Sequence, residues 1–137
     1  MLQPKKQKYQ KEFRKRKLPS LAQSGTSLVF GDFGLKAVQK GIITEKQIEA
    51  ARRAIVYFTR KGGKVWIRIF PDKPVTKKAQ GTRMGSGKGD IIGFAVPIPP
   101  GKIIFEVSGI PKDLAKKALG RAADKLPLKT CFVERNL

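Results

Sequence analysis

Histidine is absent from the 137 residues. That removes imidazole general bases, Ser-His and Cys-His nucleophile pairs, and histidine metal ligands. A single cysteine excludes an intrachain disulfide and a cysteine-rich zinc site. No cofactor and no metal is therefore expected. Acid is scarce: 10 Asp and Glu stand against 30 Lys and Arg, a net charge of +20. No apolar run approaches the ~20 residues of a membrane span, and no apolar segment follows the basic start as in a secretory signal. Neither a membrane partner nor a homo-oligomer is expected. What remains is 40% hydrophobic, enough for one core. A self-repelling excess of cations suits a partner that is itself a dense polyanion, which is nucleic acid.

The charge is uneven. Residues 1–20 hold Lys5, Lys6, Lys8, Lys11, Arg14, Lys15, Arg16 and Lys17 against Glu12 alone. Such a block has little apolar surface to bury and is expected to be disordered until phosphates neutralise it. Tyr9 and Phe13 sit within it, aromatics suited to stacking or local packing. The chain divides into this extension, 1–20, and one domain, 21–137.

From Leu21 onward the pattern is structural. Ser27–Phe30 reads as a short strand, and Gly31 and Gly34 mark a turn around Asp32-Phe33. Thr44 and Gln47 form a capping box, and Ile48, Ala51, Ile55 and Phe58 recur at helical spacing, predicting a helix over 45–61 stopped by Gly62-Gly63. Lys46, Arg52, Arg53, Arg60 and Lys61 fall off that stripe. Lys64–Phe70 reads as a strand, with Val65, Ile67 and Ile69 on one face and Trp66, Arg68 and Phe70 on the other. The runs 91–98 and 102–107 are predicted to pair as a hairpin across Pro97, Pro99, Pro100 and Gly101. Pro111 fits the first position of a second helix, with Asp113 in its first turn and Leu114, Ala118, Leu119 and Ala122 as its stripe. Leu128–Glu134 closes the chain as a strand. Two helices on a mixed or antiparallel sheet make an α+β sandwich.

Residues 73–89 read as one long loop. It holds Lys73, Lys77, Lys78, Arg83 and Lys88 and no acid. Its tip, Gly81–Gly89, has four glycines in nine residues, more than a stable helix or strand tolerates. A phosphate loop of the G-x-x-x-x-G-K-[ST] kind needs Gly at Thr82 and Ser or Thr at Gly89, so it fails. A G-x-G-x-x-G turn from Gly85 and Gly87 fails at Asp90. A long basic loop with bare N–H groups suits insertion into folded RNA. Met84 at its tip has no core to join and suits packing on RNA. Trp66 reads as packing rather than base stacking, and Cys131 as a buried structural thiol.

The order of motifs resembles one family. Met1–Lys5, Phe30-Gly31-Asp32-Phe33-Gly34-Leu35, Gln47–Ala54, Trp66–Pro74, Arg83-Met84-Gly85-Ser86-Gly87-Lys88-Gly89 and Lys125–Thr130 look like the bacterial and organellar large-subunit ribosomal protein sixteen, over essentially the whole chain. The resemblance implies a hammerhead-type α+β fold and a structural, non-enzymatic role. It implies a place on large-subunit rRNA at the base of the central protuberance, beside neighbouring ribosomal proteins and the elbow of A-site tRNA, with P-site tRNA as a further candidate. The glycine-rich loop of the family points toward the peptidyl-transferase region, and its members join the subunit late. On that reading Lys5, Lys6, Lys8, Lys11, Arg14, Lys15, Arg16, Lys17, Arg52, Arg53, Arg60, Lys64, Arg68 and Lys73 are the expected rRNA contacts. Lys77, Lys78, Arg83, Met84, Gly85, Ser86, Gly87, Lys88 and Gly89 are expected at tRNA and the active centre. Arg83 matches an arginine that some bacteria hydroxylate, and Ser86 stands where the family often has Lys. The expected location is the cytoplasmic ribosome of a bacterium, with an organellar ribosome as the alternative.

Three other readings compete. An enzyme acting on RNA has only the exposed pair Glu45 and Glu49 to offer, and would need carboxylates converging in a pocket. A free protein coating DNA or RNA would need neither the glycine-rich loop nor the Trp66–Pro74 block. A polybasic membrane-surface protein would need an amphipathic helix with a bulky apolar face.

Overall fold

The computed structural model describes residues 2–13, 20–60 and 62–136. Arg14, Lys15, Arg16, Lys17 and Lys61 lie outside the described residues. The elements are β1 (Phe33–Ala37), β2 (Gly41–Thr44), α1 (Glu45–Thr59), β3 (Lys64–Ile67), β4 (Lys73–Lys77), β5 (Asp90–Ile98), β6 (Ile103–Ser108), α2 (Lys112–Ala123) and β7 (Thr130–Glu134). They form two antiparallel sheets, ordered β3-β6-β1-β7 and β2-β5-β4. The helices pack on each other and cover one face of the four-stranded sheet, an α+β architecture.

Helix α1 is set by its own sequence. The Thr44 hydroxyl accepts the Gln47 N–H at 3.3 Å and the Gln47 side chain accepts the Thr44 N–H at 2.9 Å. Ile48, Ala51, Ile55 and Thr59 are buried, with Phe58 half-buried beside them. The helix ends at Thr59, two residues before the expected end, and Gly63 N–H closes it onto the Thr59 carbonyl. In α2 the buried residues are Ala115, Ala118, Leu119 and Ala122; Ala115 takes the place expected of Leu114, which is half-buried. Pro111 is the N-cap, not the first helical residue.

Five further expectations are corrected. Ser27–Phe30 is not a strand; the sheet begins at Phe33, where a turn was expected. The N–H groups of Val29 and Phe30 go to a carboxylate instead of a ladder, as described below. Residues 91–98 and 102–107 do not pair: β5 lies in the three-stranded sheet and β6 in the four-stranded one. The proline-rich link passes the chain between sheets, tied by Gly101 N–H to the Ala37 carbonyl at 2.7 Å. Lys73–Lys77, expected within the loop, is strand β4. It is an edge strand, where Pro74 forfeits no necessary ladder bond. The strand expected over 64–70 keeps its ladder only to Ile67, although Arg68 N–H still donates to the Ile104 carbonyl at 2.9 Å. Finally, Cys131 is exposed: it alternates away from the core on β7, itself an edge strand.

Candidate nucleic-acid interface

The β4–β5 hairpin carries the glycine-rich loop. Lys77 and Asp90 are paired in its last rung, so residues 78–89 form its tip. Gly81–Lys88 are all exposed, and Met84 reaches 98% exposure. Gly85, Ser86 and Gly87 have consecutive positive φ angles of 101°, 62° and 87°. The glycines take this turn without strain; Ser86 takes it with a side chain, at a position where few residues sit. Lys78 Nζ donates to the Gly85 carbonyl and braces the tip from within. Lys77, Arg83 and Lys88 are exposed on it.

The basic extension meets this loop. Residues 2–13 have no helix or strand. Gln7 donates to the Asp72 carbonyl and Lys11 to the Lys88 carbonyl, each at 3.4 Å. Lys73 Nζ lies 2.9 Å from Glu12, while Lys88 donates to the Glu12 carbonyl and stands 6.0 Å from the Phe13 ring. The bond to Glu12 raises the Lys73 pKa against the opposing effect of burial, with Glu12 and Asp72 attraction adding to it. Lys5, Lys6 and Lys8 remain exposed, as do the loop cations Lys77, Arg83 and Lys88.

The α1 cations are arranged differently. Glu49 takes Arg52 in a two-bond fork at 2.6 and 2.9 Å and Arg53 at 3.2 Å. The Arg52 hydrogen bond leads in lowering the Glu49 pKa to about 2, partly opposed by burial. Glu49 therefore stays ionised and fixes both guanidiniums. Arg60 is exposed and lies 4.9 Å from the Tyr57 ring; Lys64 is exposed at the start of β3.

Arg68 is turned inward. Its Nη1 lies 2.8 Å from Glu106, which is fully buried. The same carboxylate accepts the N–H groups of Val29, Phe30 and Gly31 at 2.9, 2.8 and 3.0 Å. Burial pushes the Glu106 pKa up, but these bonds outweigh it and hold the group below its ordinary value. Glu106 escaped the sequence reading. Its signal was a lone acid inside the apolar run Ile103–Val107, a position that an unpaired charge cannot occupy.

Among the described residues no three of His, Cys, Asp and Glu gather as a metal or acid cluster. Four carboxylates are each engaged by cations: Glu49 by Arg52 and Arg53, Glu106 by Arg68, Glu12 by Lys73 and Glu134 by Lys112. The arrangement can bind polyanions through N–H groups, cations and exposed aromatics.

Comparison with known proteins agrees with this chemistry. The family described as ribosomal protein L16p/L10e matches residues 4–133. A large ribosomal subunit protein uL16 of Porphyromonas gingivalis is 54% identical over 136 residues, spanning 99% of this chain and 94% of the relative. That of Halorhodospira halophila is 52% identical over 137 residues, spanning 100% and 99%. That of Albidiferax ferrireducens is 51% identical over 135 residues, spanning 98% and 97%. The chain belongs to the ribosomal protein L16p/L10e family.

Proposed function

We propose that this protein is anchored on large-subunit rRNA by its basic extension and helix cations, and presents its glycine-rich loop to tRNA beside the peptidyl-transferase region. Family membership makes it a structural constituent of the large subunit of a bacterial ribosome and not an enzyme. Its place is the base of the central protuberance, among neighbouring ribosomal proteins and next to the A-site tRNA elbow. It joins late, when the rRNA around the active centre is already folded enough to receive the loop.

One observation carries this reading: an exposed, acid-free tip stands on a paired hairpin whose base is gripped by the extension. A rigid stem with bare N–H groups and cations at its end reaches phosphates where side-chain bulk would clash. A free coating protein would not need such a stem.

The test is proximity. Cys131→Ser removes the native thiol, and Ser86→Cys or Lys5→Cys then carries a photocrosslinker on assembled particles. Position 86 is expected to crosslink to A-site tRNA and rRNA of the active centre, and position 5 to rRNA alone. Absence of tRNA crosslinks from position 86 on tRNA-bound particles contradicts the loop assignment.

A further inference from the structure

The face of the four-stranded sheet away from the helices carries an aromatic plate. Trp66 on β3, Glu106 on β6 and Gly34 on β1 form one row across it. Residues 27–31 cross this row. Leu28 sits over Gly34 so closely that a Cβ there would lie 2.4 Å from the Leu28 side chain and 3.1 Å from the Phe105 carbonyl oxygen, so a larger residue would force Leu28 to shift. Glu106 clamps the backbone of Val29, Phe30 and Gly31, and Arg135 Nη2 donates to the Val29 carbonyl at 2.7 Å.

This clamp leaves Phe30 pointing outward, 56% exposed. Its ring is stacked on Trp66 with centroids 6.0 Å apart and planes inclined 20°. The Arg68 guanidinium lies 5.2 Å from the same ring. Lys64, Trp66 and Arg68 are alternate residues of one edge segment, so a cation, an aromatic and a cation share one side of it. A buried carboxylate with four bonds is a costly device for holding an exposed phenyl ring, unless the ring has a partner.

We propose that Phe30, backed by Trp66 and Arg68, is a stacking platform for one unpaired base of the RNA that this protein binds. The proposal rests on the RNA-binding reading and adds a base-contacting site to it. A base has a flat apolar face for the ring and carries its own phosphate for Lys64 or Arg135. The excess of cations, +20 over the chain, favours a nucleic-acid occupant over an apolar protein surface. Glu106 and Arg68 act as positioning residues: they fix the ring before the base arrives.

The test uses the full chain and two RNA probes at one moderate salt concentration. One is an unstructured uridine strand of about twelve nucleotides; the other is a perfect RNA duplex with a similar number of phosphates. Phe30→Ala and Phe30→Leu are expected to weaken the single strand roughly tenfold and the duplex less than twofold, while Phe30→Tyr retains wild-type affinity. Trp66 is the only tryptophan, so its fluorescence should respond to the single strand and not to the duplex. Phe30→Leu keeps apolar bulk and controls for folding. Equal losses on both probes, or no loss on either, overturn the platform while leaving RNA binding intact. If the wild type binds neither probe, the RNA-binding reading itself fails.

Discussion

Glu106 shows how far one residue can reach. Its carboxylate joins β6 to a segment more than seventy positions away and to Arg68, just past the end of the neighbouring strand β3. That is why Ser27–Phe30 could not be read correctly from its own residues: Leu28, Val29 and Phe30 have strand character, and a distant side chain takes the N–H groups of Val29, Phe30 and Gly31. Removing one partner of a buried pair leaves the other charge uncompensated, at about 3–5 kcal/mol. Glu106→Ala is expected to lose stability on that scale in chemical denaturation and to expose the amides of 29–31 to hydrogen exchange. A loss below about 1 kcal/mol would mean that water replaces the carboxylate. The pH dependence follows from the lowered pKa. The stabilisation is complete above the ordinary carboxylate value of 4.5 and is lost as pH falls through the lower folded value. The Glu106→Ala variant should therefore show a shallower loss of stability below pH 4.5 than the wild type. Cys131 teaches the same lesson in reverse. Its neighbours suggested burial, but its place on an edge strand and the two-residue period turn it outward.

Elements were legible where their causes are local. The capping box, the stripe and the glycine stop of α1 all lie within its own twenty residues, and the helix forms there. Ile55 and Leu119 are fully buried, so either one changed to Ala should cost ~2–5 kcal/mol in thermal or chemical unfolding. Leu114→Ala should cost clearly less, because Leu114 is only half-buried. Equal costs at 114 and 119 would contradict the packing described for α2. Sheet membership was not legible, since it depends on partners far along the chain. Two apolar runs separated by prolines look like a hairpin, and only the core decides that β5 serves one sheet and β6 the other. The extension sits between these cases. Its charge was plain, and its side chains hold the loop base, yet residues 2–13 have no element of their own. Amides 5–11 are therefore expected to exchange rapidly in the isolated protein and slowly on rRNA. Slow exchange in the isolated protein would show that the extension folds without RNA.

The described residues form a packed α+β body with most of their cations exposed and a basic, acid-free loop projected on a hairpin. The candidate site was legible in outline, because the glycines and cations at 81–89 fit no helix or strand pattern. Its stem was not, because β4 contains Pro74 and reads as loop. The stem makes the decisive variant possible. Lys77 pairs with Asp90, so deleting 80–89 leaves Lys78 and Ala79 as a two-residue connection, and Lys78→Asn with Ala79→Gly supplies the turn that such a hairpin favours. The fold should survive, and rRNA binding should fall only partly, since 25 of the 30 Lys and Arg lie outside 73–89. Arg83→Ala should be a milder version, losing ~1–3 kcal/mol if its contact resembles a bidentate one to nucleic acid. The most direct measurement is peptide-bond formation together with A-site tRNA occupancy on particles reconstituted with the loop-deleted protein. Such particles are expected to contain the protein but to mature poorly, and to bind A-site tRNA and form peptide bonds far less than wild type. Particles that assemble, bind tRNA and form peptide bonds like wild type would show the loop to be a passive connection.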